Sequence, residues 1–111
     1  MAGTITFVGA GPGAPDLITL RGVEALKRAD LVIYAGSLVN EQLLDYAPPA
    51  ARRVNSAGLD FTAVIAEIKA AYETGKAVVR LHTGDPAMYG AVAEQYRELD
   101  RLGLPYSVVP G

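Results

Sequence analysis

Glycine-rich and polar segments with the potential to bind a ligand follow four predicted strands. The first, residues 9–14, formally matches the G-x-G-x-x-G/A fingerprint of dinucleotide-binding loops. The later ones are residues 35–37, 56–58 and 82–90. Each contains glycine, which lets the backbone approach a ligand closely. Any such loop needs turn residues, but four of them on one edge of a sheet favour a ligand site.

The first segment is a weak candidate for a dinucleotide site. Pro12 and Pro15 remove backbone N–H groups that a pyrophosphate needs at the start of a helix. The acid that binds the ribose at the end of the second strand is missing, since Tyr34 is followed by residues 35–37. No nucleoside-triphosphate P-loop motif occurs either. The sequence therefore disfavours both nucleotide classes.

Asp85 is the acid with the most suggestive position, because it follows Gly84 at the end of a buried strand and precedes Pro86. It could hold a ligand's ribose hydroxyls, and it could also cap a helix that begins near Ala87. His82 is the only histidine, and a single histidine at a strand end is more often packed than catalytic. With no cysteine and no second histidine, we expect no metal site. No nucleophile elbow is present, and we assign no catalytic residue.

The elements that must position these segments are predicted to alternate between strands and helices. Strands are predicted at 4–8, 31–34, 52–55, 77–81 and 106–109, and helices at 17–29, 41–46, 61–72 and from about 87 to Leu99. This order predicts an α/β domain with a five-stranded, mainly parallel sheet flanked by helices. In such a sheet, ligands bind beyond the carboxyl ends of the strands.

Two of the helices have apolar residues at helical spacing. In the first helix these are Leu17, Leu20, Val23 and Leu26, and in the helix at 61–72 they are Phe61, Val64, Ile65, Ile68 and Tyr72. Asp60 is predicted to cap the second of these helices, and Gly75 to end it. The basic pairs at 27–28 and 52–53 are expected on solvated faces.

The composition sets outer bounds on the function. The chain has 111 residues, of which half are hydrophobic, so it suits one small domain with a real core. A formal charge of -2 argues against a nucleic-acid-binding face. No apolar run reaches the roughly 18 residues of a membrane helix, and no leader is visible. We expect a soluble, cytoplasmic protein, and the lack of cysteine suits that compartment.

Several motifs, in this order and separation, resemble the tetrapyrrole methyltransferase family: residues 9–13 with 16–19, residues 29–34, and residues 84–90. The similarity runs over essentially the whole chain, and residues 105–111 resemble the segment that closes the family's N-terminal domain. Ala14 departs from the pattern, since many relatives carry aspartate there. The resemblance predicts that residues 1–111 are an N-terminal α/β domain, with the C-terminal domain absent from this chain.

Within the family, residues 34–39, 55–58 and 80–91 resemble the branch that methylates C11 of precorrin-4, or of its cobalt form, in cobalamin biosynthesis. The resemblance implies S-adenosylmethionine as methyl donor, a tetrapyrrole acceptor and a homodimer at full length. It also implies that Ser37 and Leu38 face the tetrapyrrole. The donor site would be lined by Pro12, Thr83, Gly84, Asp85, Met88 and Tyr89.

Four other functions stay open on the sequence. One is a tetrapyrrole methyltransferase of the C17, C20 or uroporphyrinogen type, and another is a methyltransferase acting on RNA or diphthamide. The more remote ones are a nucleotide-binding oxidoreductase domain and a non-catalytic binding module. The segment after Tyr34 favours C11, because uroporphyrinogen methyltransferases usually have an acid after that tyrosine.

Overall fold

The computed structural model describes residues 2–9, 18–34, 41–82 and 90–109. The strands are β1 (Thr4–Gly9), β2 (Leu31–Tyr34), β3 (Arg52–Asn55), β4 (Ala77–His82) and β5 (Ser107–Val109). The α-helices are α1 (Leu20–Lys27), α2 (Phe61–Glu73) and α3 (Gly90–Leu102), and 3-10 helices span Glu41–Tyr46 and Ser56–Gly58. The predicted α/β class is confirmed.

The five strands form one sheet in the order β3-β2-β4-β1-β5. Every pairing in it is parallel, so the predicted mainly parallel sheet is parallel throughout its described strands. Strand β4 lies at the centre, between β1 and β2, and is buried along nearly its whole length. Such burial on both faces explains why the sequence of β4 is almost continuously apolar.

Successive side chains of the central strands enter two separate cores. Val8, Val79 and Leu81 pack on one face against Leu26 of α1 and the 3-10 helix Glu41–Tyr46. The other core lies beneath α2 and α3 and includes Ile5, Phe7, Leu31, Ile33, Val64, Ile65, Ile68, Val78, Val92 and Leu99. Alternation along each strand thus forms a three-layer arrangement with helices on both faces of the sheet.

Helix α1 begins later than predicted, because Thr19 is its N-cap. The Thr19 hydroxyl accepts a hydrogen bond from the backbone N–H of Gly22 at 3.1 Å, which satisfies one of the free donors of the first turn. The predicted helix at Ile18 and Thr19 is therefore wrong. Leu20 is also 85% exposed rather than on the buried face, whereas Leu26 is buried as predicted and Gly22 is buried with it.

Helix α2 agrees closely with its prediction. The Asp60 carboxylate accepts a hydrogen bond from the backbone N–H of Ala63 at 2.8 Å, so this residue is the N-cap. Gly75 has a φ of 81°, the left-handed conformation that ends helices and favours glycine. Val64 and Ile68 are buried as expected, whereas Phe61 at the first turn is 39% exposed.

The remaining differences are small. The helix predicted at 41–46 is a 3-10 helix, β5 begins one residue late, and β1 and β4 each extend one residue further. The predicted start of the last helix lies outside the described residues. None of the helices in the described part of the chain has the length and hydropathy needed to cross a bilayer.

We expect Asp60→Ala to lower the free energy of unfolding by about 1 kcal/mol, because the first turn of α2 loses its cap. Chemical denaturation of the chain measures this. Asp60→Asn is the matched control, since asparagine caps as well as aspartate and should retain most of the stability. Equal losses in both variants would contradict a capping role.

Candidate functional site

The carboxyl ends of the five strands lie along one edge of the sheet. Strand register pairs Gly9 of β1 with His82 of β4, and Tyr34 of β2 with both Leu81 and Asn55. All the strands are parallel, so the segments that follow them leave the sheet on this same edge. We expected the four glycine-containing segments to begin at one edge of the sheet. The strand ends that precede these segments do lie at one edge.

A topological switch point lies between β1 and β4. From β1 the chain passes through α1, on one face, toward β2 and β3. From β4 it passes through α3, on the opposite face, to β5. The connections leaving these two neighbouring strands therefore diverge, and a crevice at such a point is where open α/β sheets bind ligands.

Both strands end at this switch point with residues suited to a ligand site. Gly9 carries no side chain, so the end of β1 allows a ligand to approach its backbone closely. His82 is 5% exposed, which confirms that this histidine is packed. Its ring lies on the same side of β4 as Val78, toward the core beneath α3.

Arg80 is a buried cation near the end of β4 that the sequence analysis did not single out. One guanidinium nitrogen, Nη1, donates to the backbone carbonyl of Leu81 at 3.2 Å and to that of Ile33 at 3.4 Å. Burial lowers the pKa of Arg80, because the low-dielectric interior disfavours its charged form. The available signal was a charged residue inside a strand that is otherwise apolar.

Gln95 of α3 is a second buried polar residue that was missed. It lies on the face of α3 that also carries Val92 and Leu99, which pack against the sheet. Its side-chain oxygen has no hydrogen-bond partner among the described residues, and neither has Nε of Arg80. Buried polar groups usually find partners, so these two atoms are exceptions in an otherwise apolar core.

The corner between β2 and β3 is fixed by short hydrogen bonds. The Ser56 hydroxyl donates to the backbone carbonyl of Tyr34 at 3.0 Å. The Asn55 side chain accepts from the backbone N–H of Ala57 at 2.9 Å and caps the short 3-10 helix. These contacts hold the end of β2 from its outer side, where the segment with Ser37 and Leu38 begins.

The arginine pair at the start of β3 differs from its prediction. Arg52 is exposed and forms an ion pair with Glu67 at 2.9 Å. Arg53, in contrast, is half-buried and donates to the carbonyls of Ala51 at 2.8 Å and Leu44 at 3.0 Å. The expectation of a solvated face is therefore wrong for Arg53, which binds the end of a 3-10 helix.

The site residues assigned through the resemblance lie outside the described residues and stay predictions. They are Pro12, Ser37, Leu38, Thr83, Gly84, Asp85, Met88 and Tyr89. The structure places the strand ends that precede them: β1 before Pro12, β2 before Ser37 and Leu38, and β4 before the other five.

Fold and sequence together identify the family. The model of the tetrapyrrole (corrin/porphyrin) methylases matches residues 4–111. The chain therefore belongs to the tetrapyrrole methylase family.

Two proteins that methylate precorrin-4 or its cobalt form are similar to this chain over nearly its whole length. The chain is 50% identical over 107 residues to a cobalt-precorrin-4 C(11)-methyltransferase of Methanocaldococcus jannaschii, covering 96% of the chain and 41% of that protein. The X-ray structure of a cobalt precorrin-4 methyltransferase of cobalamin biosynthesis superposes with a TM-score of 0.92 at 44% identity, covering 97% of the chain and 45% of that structure.

A third similar protein was solved with a ligand. This is uroporphyrin-III C-methyltransferase of Thermus thermophilus in complex with S-adenosyl homocysteine, with a TM-score of 0.82 and 36% identity. The match covers 98% of the chain and 45% of that structure. The chain thus spans less than half the length of each of these three proteins.

We expect Ser56→Ala to lower the free energy of unfolding by about 1 kcal/mol, since the half-buried carbonyl of Tyr34 loses its donor. Ser107→Ala is the control, because the exposed Ser107 hydroxyl makes only a 3.5 Å contact with Thr6, and its loss should stay within about 0.5 kcal/mol. Equal stability of the two variants in urea titrations would show that the corner does not depend on Ser56.

Proposed function

We propose that this chain is part of an enzyme that transfers a methyl group from S-adenosylmethionine to C11 of precorrin-4, or of cobalt-precorrin-4, in cobalamin biosynthesis. The observation that carries the proposal is 50% identity to a cobalt-precorrin-4 C(11)-methyltransferase across 96% of the chain. The sheet supports it, because the segments expected to bind the donor follow β1 and β4 at the switch point.

S-adenosylmethionine fits the residues at this edge. A nucleoside with an amino-acid tail offers hydroxyl, amine and carboxylate groups, which suit backbone N–H and C=O groups and an acid such as Asp85. Gly9 has no side chain and would let the donor approach the backbone closely. The similar structure of uroporphyrin-III C-methyltransferase in complex with S-adenosyl homocysteine also supports S-adenosylmethionine as the donor.

The proposed methyl transfer depends more on the alignment of donor and acceptor than on acid–base groups. The donor supplies an activated methyl on a positively charged sulfur, and the acceptor carbon is nucleophilic through conjugation with a pyrrole-type nitrogen. A displacement of this kind needs the carbon, methyl and sulfur held in line at about 3 Å contact distance. We therefore assign no catalytic base.

We further propose that the chain is the N-terminal domain of a two-domain enzyme that forms a homodimer in the cytoplasm. The proposal of a second domain is supported by the 41% and 45% of the relatives' lengths that the chain covers. The donor would lie in the cleft between the two domains, with the tetrapyrrole in a trough above it. Ser37 and Leu38 are our candidates for contacts with the tetrapyrrole.

The full-length gene product should transfer a carbon-13 methyl group from labelled S-adenosylmethionine to precorrin-4 or cobalt-precorrin-4. NMR of the product locates the new methyl, and a label at C11 is the expected result. A label at another ring carbon would keep the family and refute the C11 assignment. Absence of both transfer and donor binding would refute the proposed function.

Asp85→Ala should weaken binding of S-adenosyl homocysteine roughly tenfold to a hundredfold, since a hydrogen bond to a charged group is lost. Isothermal calorimetry on the full-length gene product measures this. Asp85→Asn keeps a helix-capping side chain but removes the charge, so it separates the two roles of this residue. Asp100→Ala is the control, because Asp100 lies near the far end of α3 and is exposed. Unchanged affinity in Asp85→Ala would sink the donor-binding role.

The chain of 111 residues should fold by itself but bind the donor weakly and show no turnover, because the cleft needs the second domain. Circular dichroism, calorimetry and the same methyl-transfer assay test the three parts of this prediction. The full-length gene product serves as the control. Turnover by the isolated chain at a rate comparable with the full-length protein would refute the two-domain site.

A further inference from the structure

Arg80 is a charged residue in the most buried strand of the sheet. It is 7% exposed, and the residues opposite it in the register are Phe7 on β1 and Ile33 on β2. Arginine is almost never buried to this degree unless it is paired, because removal of its charge from water is costly. An apolar residue would suit this core better, so the stability of the core does not explain the guanidinium.

No ion pair to Arg80 occurs within the described part of the chain, where its hydrogen-bond partners are two backbone carbonyls. Those carbonyls belong to Ile33 and Leu81, each of which is the residue before the last one of its strand. Nη1 therefore bridges the carboxyl ends of β2 and β4. A guanidinium suits such a bridge because its planar shape holds several N–H groups in fixed directions.

The bridge lies directly before two segments of the proposed site. Residue 33 is followed, after Tyr34, by the segment with Ser37 and Leu38, and residue 81 is followed, after His82, by the segment that contains Asp85. The relative position of the two strand ends sets where both segments start. A side chain that fixes the end of β2 relative to the end of β4 therefore affects the position of both segments.

We propose that Arg80 is a positioning residue for methyl transfer, which fixes the ends of β2 and β4 so that the acceptor-facing and donor-facing segments keep their spacing. The proposal rests on the proposed function. Arg80 acts through the two backbone carbonyls and is distinct from the residues expected to touch the donor or the tetrapyrrole.

Arg53 offers a matched control in the same sheet. Its guanidinium also binds backbone carbonyls, those of Leu44 and Ala51, and it is also partly buried. It lies near the amino end of β3, however, and binds the end of a 3-10 helix rather than two strand ends. A change at Arg53 should therefore affect stability without affecting the site.

The experiment compares Arg80→Met and Arg80→Lys with Arg53→Met and Arg53→Lys in the full-length gene product. Circular dichroism gives each melting temperature, and calorimetry well below all of them gives the Kd for S-adenosyl homocysteine. Hydrogen exchange followed by mass spectrometry reports on peptides spanning residues 31–40 and 78–90. This last readout needs no ligand, so it tests the bridge separately from the proposed function.

We expect Arg80→Met to raise the Kd by about 3-fold to 30-fold and to speed exchange in both peptides. Arg80→Lys should recover part of the affinity but not all of it, because an ammonium group can still donate to a carbonyl but lacks the planar guanidinium that reaches both strand ends. If Arg80→Met does not fold, Arg80→Lys is the variant that tests the proposal. A Kd and exchange rates equal to those of the wild type in Arg80→Lys would then overturn the proposal.

The Arg53 variants should lose thermal stability while the Kd stays within about twofold of wild type, as expected for a site that they do not touch. A folded Arg80→Met with wild-type Kd, or with exchange faster in neither peptide, would overturn the positioning role and leave a structural one. Failure of the wild-type protein to bind the ligand, with faster exchange in Arg80→Met, would refute the proposed function and confine Arg80 to fixing the strand ends.

Discussion

The parallel pairing of β1 with β4 is the constraint on which the other features depend. Six residue pairs from Thr4 with Ala77 to Gly9 with His82 keep these strands in register. The chain leaves β1 and β4 toward opposite faces of the sheet, so this one pairing creates the switch point at which open α/β sheets bind ligands. A slip of one residue would reverse the faces of the buried side chains and separate the ends that bound the site.

The polar residues near this pairing are concentrated at one end of the central strand. The first residues of β4 pack as an ordinary apolar strand, whereas Arg80 and His82 bring polar groups into the core beneath α3. Gln95 of α3 is buried as well. Polar groups buried in an apolar core cost stability unless they are satisfied. The positions of Arg80 and His82 near the carboxyl end of β4 connect that cost with the candidate site.

The sequence predicted local features well and contacts between distant residues poorly. Asp60 and Gly75 mark the ends of α2 through signals within a few residues, so that helix was predicted almost to the residue. Helix α1 was placed too early, because Leu20 falls at helical spacing from the buried Leu26 although its own side chain is exposed and Thr19 is the N-cap. The bonds of Arg53 and Arg80 depend on which elements become neighbours, and periodicity along the chain carries no such information.

The candidate site was predicted by two different routes, which meet at the switch point. The resemblance supplied Pro12 and Asp85 as site residues, while the order of strands and helices predicted only that a ligand lies beyond the strand ends. Neither route pointed to Arg80, since a residue that acts through backbone carbonyls has no motif of its own. The methyl transfer that we propose would need alignment rather than a base, and alignment depends on the positions of the strand ends. The Arg80 bridge holds the ends of β2 and β4 from the core, and the Ser56 hydroxyl holds the end of β2 from its outer side.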